Sequence, residues 1–90
     1  MTIFNDANIL ITGGTGSFGY KFVNYLLNNH NPKKIIIFSR DELKQYEMDN
    51  ALKNKKIRFF IGDVRDKDRL DIAMRNVDYV VHAAALKHVT

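Results

Sequence analysis

A chain of 90 residues is long enough for one small domain, in which folding hides little more than ~60% of the open chain's surface, so the core is expected to be thin. With 46% hydrophobic and 27% charged residues the composition excludes a disordered chain, and no run nears the ~20 apolar residues of a membrane helix. The absence of cysteine excludes a disulfide framework, a thiolate metal site and a cysteine nucleophile, and the net charge of +4 is spread too evenly among acids to make a nucleic-acid surface.

The densest basic group, residues 53–58, falls at a helix end, where the helix dipole favours cations. The start of the chain has no basic segment followed by an apolar block. A cytoplasmic protein without membrane or nucleic-acid partners is the expectation. The histidines show no metal spacing, so no metal site is assigned.

Residues 1–8 read as a polar lead-in and residues 7–12 as the first strand, centred on Ile9, Leu10 and Ile11. After the glycine-rich stretch TGGTGSFG at residues 12–19, helical spacing runs over residues 17–29, with Phe18, Phe22, Val23, Leu26 and Leu27 as the apolar stripe. Asn31 precedes Pro32, which ends the helix. Residues 34–39 are a strand apolar on both faces, as expected of one covered by helices on both sides.

A second helix is expected over residues 41–54, with acids at its start and Leu43, Tyr46, Met48 and Leu52 as a less regular apolar face. Residues 57–61 are the third strand, running into Gly62-Asp63-Val64. Residues 66–76 are the third helix, with Leu70, Ala73, Met74 and Val77 on one stripe. Residues 78–84 are the fourth strand, in which His82 is expected as a satisfied core residue.

Strands alternating with helices through short connections predict a parallel sheet with right-handed crossovers. The fold class is α/β, a Rossmann-type sheet of order 3-2-1-4. Crossovers one and two are expected on one face and crossover three on the other. That leaves the second face short of helices, so residues 1–90 are expected to be an NAD(P)-binding half-domain, the truncated first half of a longer protein. As an isolated piece it is expected to self-associate through an open apolar edge.

The glycine stretch sits where a buried strand hands over to a helix. Gly14, Gly16 and Gly19 satisfy Gly-x-Gly-x-x-Gly, and Gly13, Gly16 and Gly19 satisfy Gly-x-x-Gly-x-x-Gly. In such a junction Gly13 takes backbone angles closed to other residues, Gly16 keeps side chains away from a pyrophosphate, and Gly19 lets the helix lie close to the strand. The start of the helix offers unpaired amides and a positive dipole end to the anion. The alternative is a glycine turn without a ligand, against which the flanking strand and helix argue.

The end of the second strand reads the adenosine ribose. An NAD-preferring site has Asp or Glu there, whereas Phe38-Ser39-Arg40, with Lys44 one turn on, suits a 2′-phosphate. Arg40 can hold a phosphate through two parallel bonds and Ser39 adds a hydroxyl donor. The competing reading is a solvated Arg40 paired with Asp41 or Glu42, and those acids keep NAD open. Asp63, with Val64 beside it, falls where this fold faces the adenine amino group, or else is a helix cap or turn residue. Ala84 lies among small residues that admit a cofactor, or that merely pack. Lys87 is the cation beyond the fourth strand.

Four segments, ILITGGTGSFG, IIIFSRDELKQYEM, RFFIGDVRDKDRL and VDYVVHAAALKHV, together resemble the N-terminal part of the bacterial inverting UDP-N-acetylglucosamine 4,6-dehydratases over residues 8–90. These belong with the polysaccharide-biosynthesis dehydratases among the extended short-chain dehydrogenase/reductases. SRDELKQ and AAALKHV carry more weight than the glycine spacing, because unrelated dinucleotide-binding chains have no reason to share them. The resemblance implies a sugar-nucleotide lyase that uses NADP catalytically to make a 4-keto-6-deoxy UDP-sugar, inverted at carbon 5, for capsule, surface polysaccharide or flagellin glycan.

By position the resemblance implies Gly13, Thr15, Gly16, Ser17, Phe18 and Gly19 around the pyrophosphate. It implies Ser39, Arg40, Asp41, Glu42, Leu43 and Lys44 around the 2′-phosphate ribose, Asp63 and Val64 at the adenine, and Ala84 and Lys87 at the inner cofactor region, Lys87 also facing the UDP-sugar. The family's Tyr-x-x-x-Lys pair is not found in these 90 residues, so the chain alone is expected to be inactive, and the complete protein a homo-oligomer. A UDP-sugar epimerase or reductase of the same superfamily, and a non-catalytic nucleotide sensor, are the competing readings.

Overall fold

The computed structural model describes residues 3–83; Ala84 and Lys87 lie outside the described residues. Seven elements alternate: β1 (Asn8–Thr12), α1 (Ser17–Asn29), β2 (Lys34–Ser39), α2 (Glu42–Leu52), β3 (Ile57–Ile61), α3 (Lys67–Ala73) and β4 (Tyr79–His82). The strands form one sheet of order β3-β2-β1-β4 in which every pairing is parallel. The expected strand order is the observed one.

Alternation along the central strands divides the core. Ile9, Ile11, Ile35 and Ile37 face Val23 and Leu26 of α1 and Met48 of α2. Leu10 and Phe38 face the opposite way, with Ala73 of α3 and half-buried Leu70 and Val77. Two crossovers therefore cover one face and the third covers the other, as the right-handed rule requires. The fully buried Ile, Leu and Phe side chains each contribute about 1.5–3 kcal/mol through burial.

Several local expectations are corrected. Leu43 and Tyr46 of α2 are 66% and 65% exposed, and the buried positions are Gln45 and Met48. The reason is polar: the Gln45 side-chain amide donates to Ser39 Oγ (2.9 Å) and to the Phe60 carbonyl (3.2 Å), which fixes the rotation of α2 over the ends of β2 and β3. Its apolar stripe is thereby reduced to Met48 with the half-buried Leu52.

Helix α2 begins at Glu42 because Asp41 is its cap, and it ends at Leu52 because Lys53 adopts a left-handed conformation with φ 44°. Helix α3 is shorter than expected. It starts from Asp66 and gives way at Met74 to a turn in which Asn76 has φ 62°, and Met74 is exposed. Phe4 in the lead-in is half-buried, edge-on to Phe22 and Tyr79, so that segment packs on the core and is not merely polar. His82 is exposed, not a core residue; its Nδ1 lies 3.0 Å from Thr12 Oγ1 across the paired strand ends.

Candidate functional site

The carboxyl ends of β1, β2 and β3 open on one edge of the sheet, where open α/β folds bind ligands. The turn after β1 is set by backbone. The Gly13 N–H donates to the Phe38 carbonyl (2.9 Å), tying the turn to β2, and the Gly16 N–H donates to the Gly13 carbonyl (3.1 Å). Gly13 has φ 68°, a left-handed angle that favours glycine.

Gly19 is needed for close approach, but to the turn and not to the strand as expected. A Cβ there would stand 2.4 Å from Gly14 Cα. Gly16 is different: with φ −76° and ψ 176° it holds extended backbone that other residues also adopt.

Gly16 caps α1 without a side-chain hydrogen bond, and the first turn holds no acid. Within α1, Tyr20 makes the first internal amide bond, to the Gly16 carbonyl at 2.9 Å. The amides of Ser17, Phe18 and Gly19 precede it and give this end its positive character.

Two adjoining cavities meet at Gly13 and Arg40. One, of about 570 Å³, lies between the turn and the start of α2 and is lined by Gly13, Thr15, Gly16, Arg40, Asp41, Glu42 and Lys44. The other, of about 360 Å³, lies between the ends of β2 and β3 and is lined by Gly13, Phe38, Ser39, Arg40, Gly62, Asp63, Val64 and Arg65. The fold thus brings most of the expected residues together, although they come from three separate connections.

Some expected residues do not line either cavity. Ser17 contributes only its place at the helix start, Phe18 is 39% exposed and stacks on Phe22, and Leu43 points elsewhere. Ser39 lines the second cavity, but its hydroxyl oxygen is buried and accepts the Gln45 amide, so it secures α2 as well.

Arg40 pairs with neither Asp41 nor Glu42. Asp41 accepts the Lys44 N–H (3.0 Å) as the cap of α2, and the Arg40 guanidinium reaches Asp63 Oδ2 at 3.5 Å. Asp63 is not a helix cap, because Asp66 serves α3. Its Oδ1 accepts the Arg65 backbone N–H (2.9 Å) and its Oδ2 accepts the Arg65 Nη2 (2.8 Å), with Nε 3.2 Å from each oxygen. These bonds from Arg65 hold the Asp63 carboxyl well below the usual carboxylate range, with a smaller push from Arg40, and raise the Arg65 guanidinium in turn.

Arg65 and Gly62 line the second cavity and Gln45 anchors α2 beside it, and sequence reasoning missed all three. Arg65 had a signal in the Asp-x-Arg spacing of GDVRD, since a side chain two residues on can close over a turn aspartate. Gln45 had none, because its partners come from β2 and β3.

Comparison with known proteins bears on the family and the fold. The family model described as polysaccharide biosynthesis protein matches residues 9–90. The chain is 63% identical over 87 residues to UDP-N-acetylglucosamine 4,6-dehydratase (inverting) of Campylobacter jejuni strain 81-176, covering 97% of this chain and 26% of that protein. It is 56% identical over 90 residues to a UDP-glucose 4-epimerase of Rickettsia bellii, with the same two coverages, 97% and 26%.

Among solved structures, Pen from Bacillus thuringiensis matches with TM-score 0.87 and 44% identity over 98% of this chain and 27% of its own. The dTDP-glucose 4,6-dehydratase of Bacillus anthracis, solved in complex with NAD, matches with TM-score 0.69 and 25% identity over 86% and 26%. The chain spans about a quarter of the length of these relatives. Its four strands, its glycine turn and its matched residues make this chain a member of the polysaccharide biosynthesis protein family.

Proposed function

We propose that this chain is the NADP-binding part of an inverting UDP-N-acetylglucosamine 4,6-dehydratase, a cytoplasmic hydro-lyase that makes a 4-keto-6-deoxy UDP-sugar for surface glycans. The observation that carries the reading is the uncapped start of α1, opening with Gly13 and Gly16 onto a cavity that also holds Arg40 and Lys44. A dinucleotide diphosphate suits that end of α1, because Gly16 lines the cavity beside the bare amides. Arg40 and Lys44 supply the cations for a 2′-phosphate. Asp63, kept ionised by Arg65, supplies an acceptor for the adenine amino group, and Val64 supplies apolar contact.

When bound, the nicotinamide would accept a hydride from the sugar and give it back one reaction later, which lets a 4-keto stage acidify the neighbouring carbon. The residues of this chain hold and orient; the sugar-nucleotide site, with Ala84 and Lys87 at its near side, is part of the same proposal. Among the described residues no helix is long and apolar enough to cross a membrane.

A second reading, a UDP-sugar 4-epimerase, is favoured by the Rickettsia relative. Incubating the full-length protein with UDP-N-acetylglucosamine separates the two by mass. A product one water lighter is the expected result, and a product of unchanged mass would establish the epimerase instead. For the cofactor, Arg40→Ala is expected to weaken NADP binding about ten- to a hundredfold and to spare NAD, as loss of a charge-assisted bond implies. Equal losses for both, in a titration calorimeter, would remove the preference for NADP.

A further inference from the structure

Arg40 stands where the two cavities meet and serves both. An ionised carboxylate offers about four lone-pair positions. At Asp63, Arg65 supplies three donors: its backbone N–H at 2.9 Å on Oδ1, its Nη2 at 2.8 Å on Oδ2, and its Nε at 3.2 Å from both oxygens. Arg40 supplies the fourth at 3.5 Å. A donor entering between the ends of β2 and β3 therefore finds no vacant lone pair on Asp63.

The contacts differ in how readily they yield. Arg65 is tied to Asp63 by its own backbone as well as by its side chain, two residues away. Arg40 makes one long contact, and its side chain is 72% exposed. On its other flank lie Lys44 and the glycine turn, and a phosphate held there would offer the guanidinium two short parallel bonds in exchange for one long one.

We propose that Arg40 is an exchangeable specificity residue that couples the two ends of the adenosine: a 2′-phosphate draws it away from Asp63, and the lone pair so released accepts the exocyclic amino group of adenine. This rests on the NADP reading above. With an unphosphorylated ribose, Arg40 stays on Asp63 and competes with the amino group for the same oxygen. Recognition of the phosphate and recognition of the base are then a single coupled event, and the coupling is reciprocal.

The test is a cycle of four ligands on the full-length protein: NADP, NAD, and the hypoxanthine counterpart of each, in which a carbonyl oxygen replaces the amino donor. The preference for adenine over hypoxanthine is expected to be roughly two- to fivefold larger in the 2′-phosphorylated pair than in the other, the scale of one exposed ion pair. In Arg40→Ala the two preferences are expected to become equal. Equal preferences in the unsubstituted protein, with NADP still bound more tightly than NAD, overturn the coupling alone. An affinity for NAD at least as high as for NADP overturns the cofactor reading, and the coupling with it.

Discussion

The three helices begin in two different ways at the same edge of the sheet. Helices α2 and α3 start from Asp41 and Asp66, whose carboxylates accept the N–H of Lys44 at 3.0 Å and of Arg69 at 3.2 Å, and each has an acid in its first turn, Glu42 or Asp68. Helix α1 starts from Gly16, with neither a side-chain cap nor an acid. Each helix follows the carboxyl end of a strand, so the three positive ends gather along one edge. Two are satisfied by the chain's own carboxylates. The third has no carboxylate of its own, and it is the one whose capping residue, Gly16, lines a cavity.

The comparison can be broken most severely by giving α1 the start that α2 has. Gly16 has extended backbone angles that aspartate also adopts, so in Gly16→Asp the fold is expected to persist and thermal unfolding to show a gain of a few tenths of a kcal/mol from the new cap. Nucleotide affinity is expected to fall about ten- to a hundredfold, because the carboxylate takes the amides and repels the diphosphate. Undiminished affinity by calorimetric titration would mean that the bare helix start is not the anion site.

The reverse change tests the other side. Asp66→Ala removes the cap of α3 at a position that lines neither cavity, and is expected to cost about 1 kcal/mol in denaturant unfolding. NADP affinity should stay as it was. A matching loss of affinity would show that the two kinds of helix start are not separable in role.

The smallest effect concerns acid. Asp63 has a folded-state pKa lowered chiefly by its Arg65 bonds, so the folded chain holds that proton less readily than the unfolded chain. The pair's contribution is therefore fully present above the ordinary carboxylate range and is lost as pH falls below about 4. Stabilities of the unsubstituted protein and Asp63→Asn are expected to differ by a constant amount at pH 5 and above, and to converge only below about pH 4. Convergence already near neutrality would show that the carboxyl is not held in its charged form.

Most of the groove is legible in the amino-acid sequence. The alternation of Ile9–Ile11 and Ile35–Phe38 with helical segments dictates a parallel sheet, and parallel sheets bring the connections after β1, β2 and β3 to one edge. Gly13, Thr15, Gly16, Arg40, Asp41, Glu42, Lys44, Asp63 and Val64 follow from their places just beyond strand ends. The apolar face of α2 does not follow, because Leu43 and Tyr46 look like core residues by type and spacing. What turns them outward is the Gln45 amide, whose partners on Ser39 and Phe60 lie 6 and 15 residues away. Phe4 and His82 escape sequence reasoning for a similar reason, since the environment of each is set by segments distant in the chain.

By itself the sequence determined the order of the elements, the strand order of the sheet and the backbone character of the turn, because these depend on period, chain direction and the angles open to glycine. Only the tertiary structure decided which partners the charged side chains take. Arg40 passes over the adjacent Asp41 and Glu42 to reach Asp63, 23 residues on, because β2 and β3 lie side by side and bring their ends together. Local spacing governs how a chain segment coils. Long-range strand pairing governs which charges meet.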